Sequence, residues 1–386
     1  MGQEPVKYDA RHIQVLEGRE AIRKRPGMYL GSTGERGLHH MVFEVASRAL
    51  DEVLIGRGNH IEITLLPDGG VSVVDDGPGT PFEDGGDGDG PGLEAQLTRM
   101  MFGRGRGRPQ SPVLTFRGVG LFVANALSSR MVAEVSRDGV RRVQEYARGL
   151  TVTEPISVGS AAGSGTVITF WPDPDIFGVA ECSFDALADR FRELAFLNRE
   201  LDISLTDKRR SSEPRSLRFR PPGGVREMVA FLDELAALDP GITGFEQEDS
   251  RMAGTMEVAW RWRDSGQERV QSFANSVPTP GGGAHVVGFH DGVGTGVNAF
   301  ARKRRLLAAT DPDLPIEAIG EGLTAVVSVK LEYPEFEGAT KGVLANAAVR
   351  ACVRDAVLQH LDGWLDEHPR QAAAIVDRAI QATRRD

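Results

Sequence analysis

The 386-residue sequence predicts an α+β fold in two parts, and three observations predict it. First, Ile61–Leu66 and Val71–Val74 read as strands around Pro67-Asp68-Gly69-Gly70, a hairpin turn signal. Second, strand and helix patterns are mixed without the regular alternation of a parallel α/β sheet. Third, DKRRSSEPRSLRFRPPGG, at 207–224, is charged, rich in Ser, Pro and Gly, and has no hydrophobic period. It marks a boundary between parts at 1–218 and 219–386, each of ordinary domain size.

In chain order, a helical pattern runs from His12 to Arg25 and stops at Pro26-Gly27. A second helix covers Gly37–Gly56, with Val42, Val45, Ala46, Ala49, Val53 and Leu54 on one apolar face. Glu44, Arg48, Asp51 and Glu52 fall on its polar face. After the hairpin comes a glycine-rich stretch, a short helix at Gly92–Met101, an Arg/Gly segment at 103–109 and a helix at Val119–Leu127. Residues 131–171 read as three or four strands. The second part reads as helix Val225–Leu238, strands Thr255–Arg263 and Arg269–Asn275, helix Val293–Arg305, strand Thr324–Glu332 and a C-terminal helical pair.

Composition narrows the function classes. No apolar run approaches the ~18–20 residues that span a bilayer. The opening MGQEPVKYDARHIQ is too polar for a signal peptide and lacks the Ser or Thr of a myristoylation site. Cys182 and Cys352 stand far apart, which leaves neither a disulfide framework nor a zinc knuckle. The expectation is a cytoplasmic protein with no membrane partner. A net charge of −10 argues against a protein that coats nucleic acid, while local basic clusters remain at Lys208-Arg209-Arg210 and Arg302-Lys303-Arg304-Arg305.

Four places carry possible chemistry. Asp75-Asp76-Gly77-Pro78-Gly79 follows a strand end, where an acid can accept a hydrogen bond and glycines let backbone approach a flat ligand; an Asp-rich turn is the plainer alternative. Phe116-Arg117-Gly118-Val119-Gly120 leads into a helix and can offer backbone N–H groups to phosphate, or simply start the helix. Glu44 can act as a general base on water, or pair with Arg48 one turn on. Lys341 sits in a glycine-flanked loop where it can touch phosphate or stay exposed.

The order of these pieces resembles the N-terminal region of DNA gyrase B and of its topoisomerase IV counterpart. The resemblance runs through YDARHIQVLEGREAIRKRPGMYLGSTGERGLHHMVFEV, VVDDGPGTP, GVGLFVANALSSR, GSGTVITFWPDPDIF, LAFLNRELDISLTD, QSFANSVPTPGGGAH and EGLTAVVSVKLEYPEFEGATK. It implies a GHKL-type ATP-binding α/β sandwich followed by an α+β transducer domain. Carried over by position, it implies Glu44 as the glutamate that activates water, Asp75 with Gly77 and Gly79 as the adenine site, and Thr166 beside it. Arg137 falls at the pocket rim. The loop Thr115, Phe116, Arg117, Gly118, Val119, Gly120 and Leu121 wraps phosphates, and Lys341 senses the γ-phosphate. Tyr8 matches the arm that reaches into the partner's site, which implies an ATP-gated homodimer. Gyrase subunits and DNA are the further partners implied.

Departures from the family collect at the nucleotide site. Its magnesium-binding asparagine is Arg48 here; a guanidinium has donors only and cannot ligate a cation. Either Arg48 meets phosphate in place of metal, or hydrolysis is crippled. An expected arginine is Pro78, which removes the usual partner of Glu52, and Ala339 replaces a glutamine. No Glu-Gly-Asp-Ser-Ala motif occurs, so no DNA cleavage is expected from this chain alone. Two readings follow: an ATPase module of topoisomerase type, or a catalytically weak paralogue that regulates or protects gyrase.

Overall fold

The computed structural model describes residues 18–54, 56–84, 91–100, 120–209, 214–235, 239, 241–264, 266–338 and 342–384. They form two compact units. One runs to Ala188 and takes in Ile203–Arg218; the other holds Asp189–Asp202 and the described residues from Phe219 onward.

In the first unit, α1 (Gly18–Lys24) is followed by the single turn α2 (Gly27–Leu30) and the long α3 (Glu35–Leu54). Met41, Val42, Val45, Ala46, Ala49 and Leu50 bury one side of α3. His40, Glu44 and Arg48, four residues apart, share another stripe of it. β1 (His60–Leu65) and β2 (Val71–Asp75) form the expected antiparallel hairpin, with Ile61 opposite Asp75. Then come α4 (Leu93–Thr98), α5 (Gly120–Ala126), β3 (Ser128–Arg137), β4 (Val140–Ala147), β5 (Leu150–Thr151), β6 (Ile156–Ser160) and β7 (Gly165–Pro172). Residues 131–171 thus carry five strands. The β3–β4 turn places Asp138 at φ 52° and Gly139 at φ 76°, the left-handed pair that matches strand twist. α6 (Pro174–Phe177) follows, then α7 (Phe184–Leu197), whose residues from Asp189 onward belong to the other unit, and β8 (Asp202–Asp207) and β9 (Arg215–Phe219).

These strands make a nine-stranded sheet in the order β5-β4-β3-β7-β2-β1-β8-β9, with β6 also paired to β4. Helix α3 packs on β1, β2 and β7, and α5 on β3 and β4. Period-two alternation along β2 buries Val71, Val73 and Asp75 together. Asp75 therefore points to the face that α3 covers, and Asp76 does not. β9 lies inside the stretch read as a boundary. Its exposed Arg215, Ser216 and Arg218 belong to an edge strand with one neighbour, so no hydrophobic period marks it.

The second unit contains α8 (Val225–Leu232), β10 (Thr243–Asp249), β11 (Gly254–Trp262), β12 (Arg269–Ala274), β13 (Val277–Pro278), α9 (Ala284–Lys303), α10 (Ile316–Ile319) and β14 (Leu323–Leu331). The short ribbon β15 (Phe336–Glu337) and β16 (Val343–Leu344), then α11 (Ala347–Glu367) and α12 (Pro369–Thr383), complete it. Its sheet runs β10-β11-β14-β12-β13, with β12 and β14 parallel and the other pairs antiparallel. Central β14 sends Ala325, Val327 and Val329 into a core with Phe289, Val293, Val353 and Val357 of α9 and α11. Val326 faces the opposite core with Phe196, Met228 and Val229. Helix α9 begins nine residues before the expected Val293. Glycines hide its start in the sequence, yet a Cβ on Gly288 would lie 2.4 Å from the Arg350 carbonyl oxygen of α11. Close helix approach requires glycine there.

His285, in the first turn of α9, is fully buried, and its Nε2 lies 3.1 Å from Thr279 Oγ1. Burial pulls this imidazole down to about 4, so the folded chain holds it neutral. Unfolded histidine takes a proton near pH 6.5. Between about 6.5 and 4 the unfolded chain binds more protons, so the contribution is complete above that window and is lost as pH falls through it. The loss is on the order of 3 kcal/mol. Denaturant midpoints at pH 7 and pH 5 should differ clearly in the wild type, and His285→Gln should narrow that difference.

Candidate functional site

The site gathers where the end of β2, the start of β7 and the stripe of α3 meet. Asp75 is 4% exposed and stands opposite Thr166, itself buried, across the β2–β7 ladder. Asp75 Oδ1 accepts the Gly77 N–H at 3.0 Å, and Thr166 Oγ1 accepts the Thr80 N–H at 3.3 Å. A Cβ on Gly77 would sit 2.8 Å from Asp75 Oδ1. Gly79 is left-handed at φ 76°, and a Cβ there would lie 2.5 Å from the Ser136 carbonyl oxygen. Both glycines are thus required by close approach. Asp76 plays a different part. It is exposed, and its Oδ1 accepts the N–H groups of Asn59 and His60 at 2.9 and 3.0 Å. It latches the loop before β1. Arg137 at the rim donates to the Gly79 carbonyl oxygen at 3.2 Å.

Glu44 is 5% exposed, and its Oε1 lies 3.0 Å from His40 Nε2, one turn earlier on α3. The helix thereby holds a carboxylate in a fixed position by an i,i+4 contact. The alternative partner, Arg48, is engaged elsewhere. Its Nη2 donates to Asp75 Oδ2 and its Nη1 to Thr80 Oγ1 at 3.1 Å. Burial pulls the guanidinium down to about 10 against the raising influence of Glu52 and Asp51, so it stays charged at neutral pH. By sequence, Arg48 either meets phosphate or cripples hydrolysis; the structure seats it on the carboxylate at the base of the site. Glu52, deprived of its family partner at Pro78, has Arg57 Nη1 at a loose 4.0 Å.

Tyr8, Thr115, Phe116, Arg117, Gly118, Val119 and Lys341 lie outside the described residues. Gly120, at φ 63°, and Leu121 open α5. Sequence reasoning missed His40 and Thr80; the four-residue spacing of His40 and Glu44 could have shown the first, while nothing local reveals the second. The donor set does not fit a divalent cation at the position of Arg48, and among the described residues no three His, Cys, Asp or Glu side chains converge as a metal site. Of the basic clusters, Lys303 is bound to Asp366 and Arg302 to Asp313, while Arg304 faces Asp366 at 3.7 Å. Arg209 chelates Asp207.

Residues 33–176 match the family model of the histidine kinase-, DNA gyrase B- and HSP90-like ATPase, and residues 224–386 match that of DNA gyrase B. The solved 43K ATPase domain of Thermus thermophilus gyrase B, in complex with an aminocoumarin, superposes with a TM-score of 0.78 at 31% identity, covering 95% of this chain and 94% of that one. The chain belongs to the DNA gyrase B family. DNA gyrase B of Streptomyces coelicolor is 42% identical over 401 residues, 99% of this chain and 58% of that protein. The novobiocin-resistant DNA gyrase B of Streptomyces niveus is 42% identical over 394 residues, 97% and 58% respectively. The chain thus spans less than two thirds of the length of these curated relatives. The family resemblance and the mixed α+β fold of GHKL type are both borne out. Gyrase B family membership brings a gyrase-B-like ATPase architecture. Among the described residues no helix is long and apolar enough to cross a membrane.

Proposed function

We propose that this chain is an ATP-binding, ATP-gated dimerising module of gyrase-B type, with impaired hydrolysis. The observation that carries the reading is the buried Asp75 opposite Thr166 on the neighbouring strand, followed by Gly77 and Gly79 where a Cβ would crowd its neighbours, with Glu44 buried on α3. In this reading residues 1–218 are the ATPase domain with its dimerisation arm and 219–386 the transducer. Asp75 accepts the exocyclic amine of adenine, with Thr166 beside it and Arg137 at the rim. The segment from Thr115 to Leu121 wraps the phosphates, Lys341 reports the γ-phosphate, and Tyr8 enters the partner's site. Glu44 orients the attacking water and takes its proton; His40 is a positioning residue that holds Glu44. No step is routed through magnesium, because Arg48 presents only donors where the family places its metal ligand. The protein acts in the cytoplasm.

A second reading is favoured by Arg48 itself. A cation seated on the base-reading carboxylate weakens catalysis while leaving the fold, so the chain acts as a regulatory or protective partner of gyrase. DNA contact through the transducer has less support, since the second basic cluster is largely paired with carboxylates.

Sedimentation velocity tests the first reading. Saturating non-hydrolysable ATP analogue should raise the dimer fraction at fixed protein concentration, and ADP should raise it less. A monomer–dimer ratio indifferent to every nucleotide would exclude ATP gating.

A further inference from the structure

Arg48 closes the groups that would read a base upon one another. Asp75 has one oxygen on the Gly77 N–H and the other on Arg48; Thr80 accepts from Arg48 and donates its N–H to Thr166. The Arg48 side chain is only 11% exposed, so it fills space inside the site. Yet the arrangement is incomplete. Arg48 Nε is buried with no hydrogen-bond partner, and a stranded donor of this kind is unfavourable.

A second seat lies one turn along the same helix. Glu52 follows Arg48 by four residues, a spacing at which helical side chains meet. Its Oε2 is buried with no hydrogen-bond partner, and its nearest cation, Arg57, stands 4.0 Å away. The Glu52 stem flanks Gly77, since a Cβ built there would lie 3.4 Å from Glu52 Cβ. Asp75 is thus bonded to Arg48, and Glu52, partly buried, is a second carboxylate whose charge bears on the same guanidinium.

We propose that Arg48 is a two-station gate on base recognition: seated on Asp75 it excludes a purine amine, and a base binds when Arg48 moves to Glu52. The inference rests on the nucleotide reading above. It makes Arg48 a competitor for the base subsite and Glu52 the partner that releases it. A protein whose competent state is only fractionally populated binds with an affinity lowered by that fraction, so removing the competitor strengthens binding without adding a contact.

Adenosine in EDTA isolates the base subsite from phosphate and metal effects. By calorimetric titration, Arg48→Gln should bind adenosine at least roughly tenfold more tightly than wild type. Glu52→Gln should weaken binding in the wild-type background and leave it unchanged beside Arg48→Gln, a coupling that a merely structural Glu52 would not show. Equal or weaker binding by Arg48→Gln overturns the gate, and an equal effect of Glu52→Gln in both backgrounds overturns the second station. Should Arg48→Gln not fold, Glu52→Gln alone decides: unchanged adenosine affinity contradicts the proposal. If neither ATP nor adenosine binds wild type or any variant, the nucleotide reading itself fails; if ATP binds but the variants match wild type, only the gate fails.

Discussion

Replacing Asp75 by alanine should lower the stability of the protein by about 3–5 kcal/mol, the cost of leaving a buried charge without its partner. The Arg48 guanidinium, 11% exposed, would lose the partner of Nη2 while Nε stays unsatisfied, and passage to Glu52 would bring the cost toward the low end of that range. In the proposed nucleotide reading the same change removes the acceptor for the adenine amine, so binding of ATP analogue should disappear with it. Denaturant unfolding separates the two effects. Combining Asp75→Ala with Arg48→Leu should recover most of the stability, because both charges are then gone, but none of the nucleotide binding. If Asp75→Ala alone unfolds at the wild-type midpoint, the Arg48–Asp75 pair is not formed in solution.

Glu44→Gln should lower ATP turnover by roughly 10²–10⁴-fold, the range expected when a positioned base is lost. The amide preserves shape and contact with His40 but cannot take a proton from water. Binding of the non-hydrolysable analogue should be retained, which distinguishes lost chemistry from a collapsed site. Steady-state phosphate release measures the first and calorimetry the second. In the regulatory reading, wild-type turnover is itself at background and Glu44→Gln changes nothing, so this comparison also separates the two functions.

Much of this architecture is legible in the sequence because it follows from local periods. Alternation along Val71–Asp75 assigns the carboxylate to the inner face, and the helical spacing of Val42, Val45, Ala46 and Ala49 gives α3 its buried side. What escapes is set by partners distant in the chain. β10 contributes mainly Phe245 to the core, and β9 ends in Phe219 after exposed polar residues, so neither edge strand displays a clear period. Helix α9 is hidden by glycines whose purpose is contact with α11, sixty residues on. At the site, Glu44 and Asp75 were readable as chemistry-bearing residues, yet the partner of Arg48 was not. Helical spacing favours Glu44, four residues away; burial against β2 delivers Asp75 instead, 27 residues away. His40 then takes the place beside Glu44.

In the proposed reading the site beneath α3 binds a nucleotide without a metal ligand at position 48. Calorimetric titration of the wild-type chain with a non-hydrolysable ATP analogue, in magnesium and again in EDTA, tests it most directly. Saturable binding is expected in both conditions, with the same affinity. A titration without binding heat in either condition, or binding that vanishes in EDTA, would contradict it.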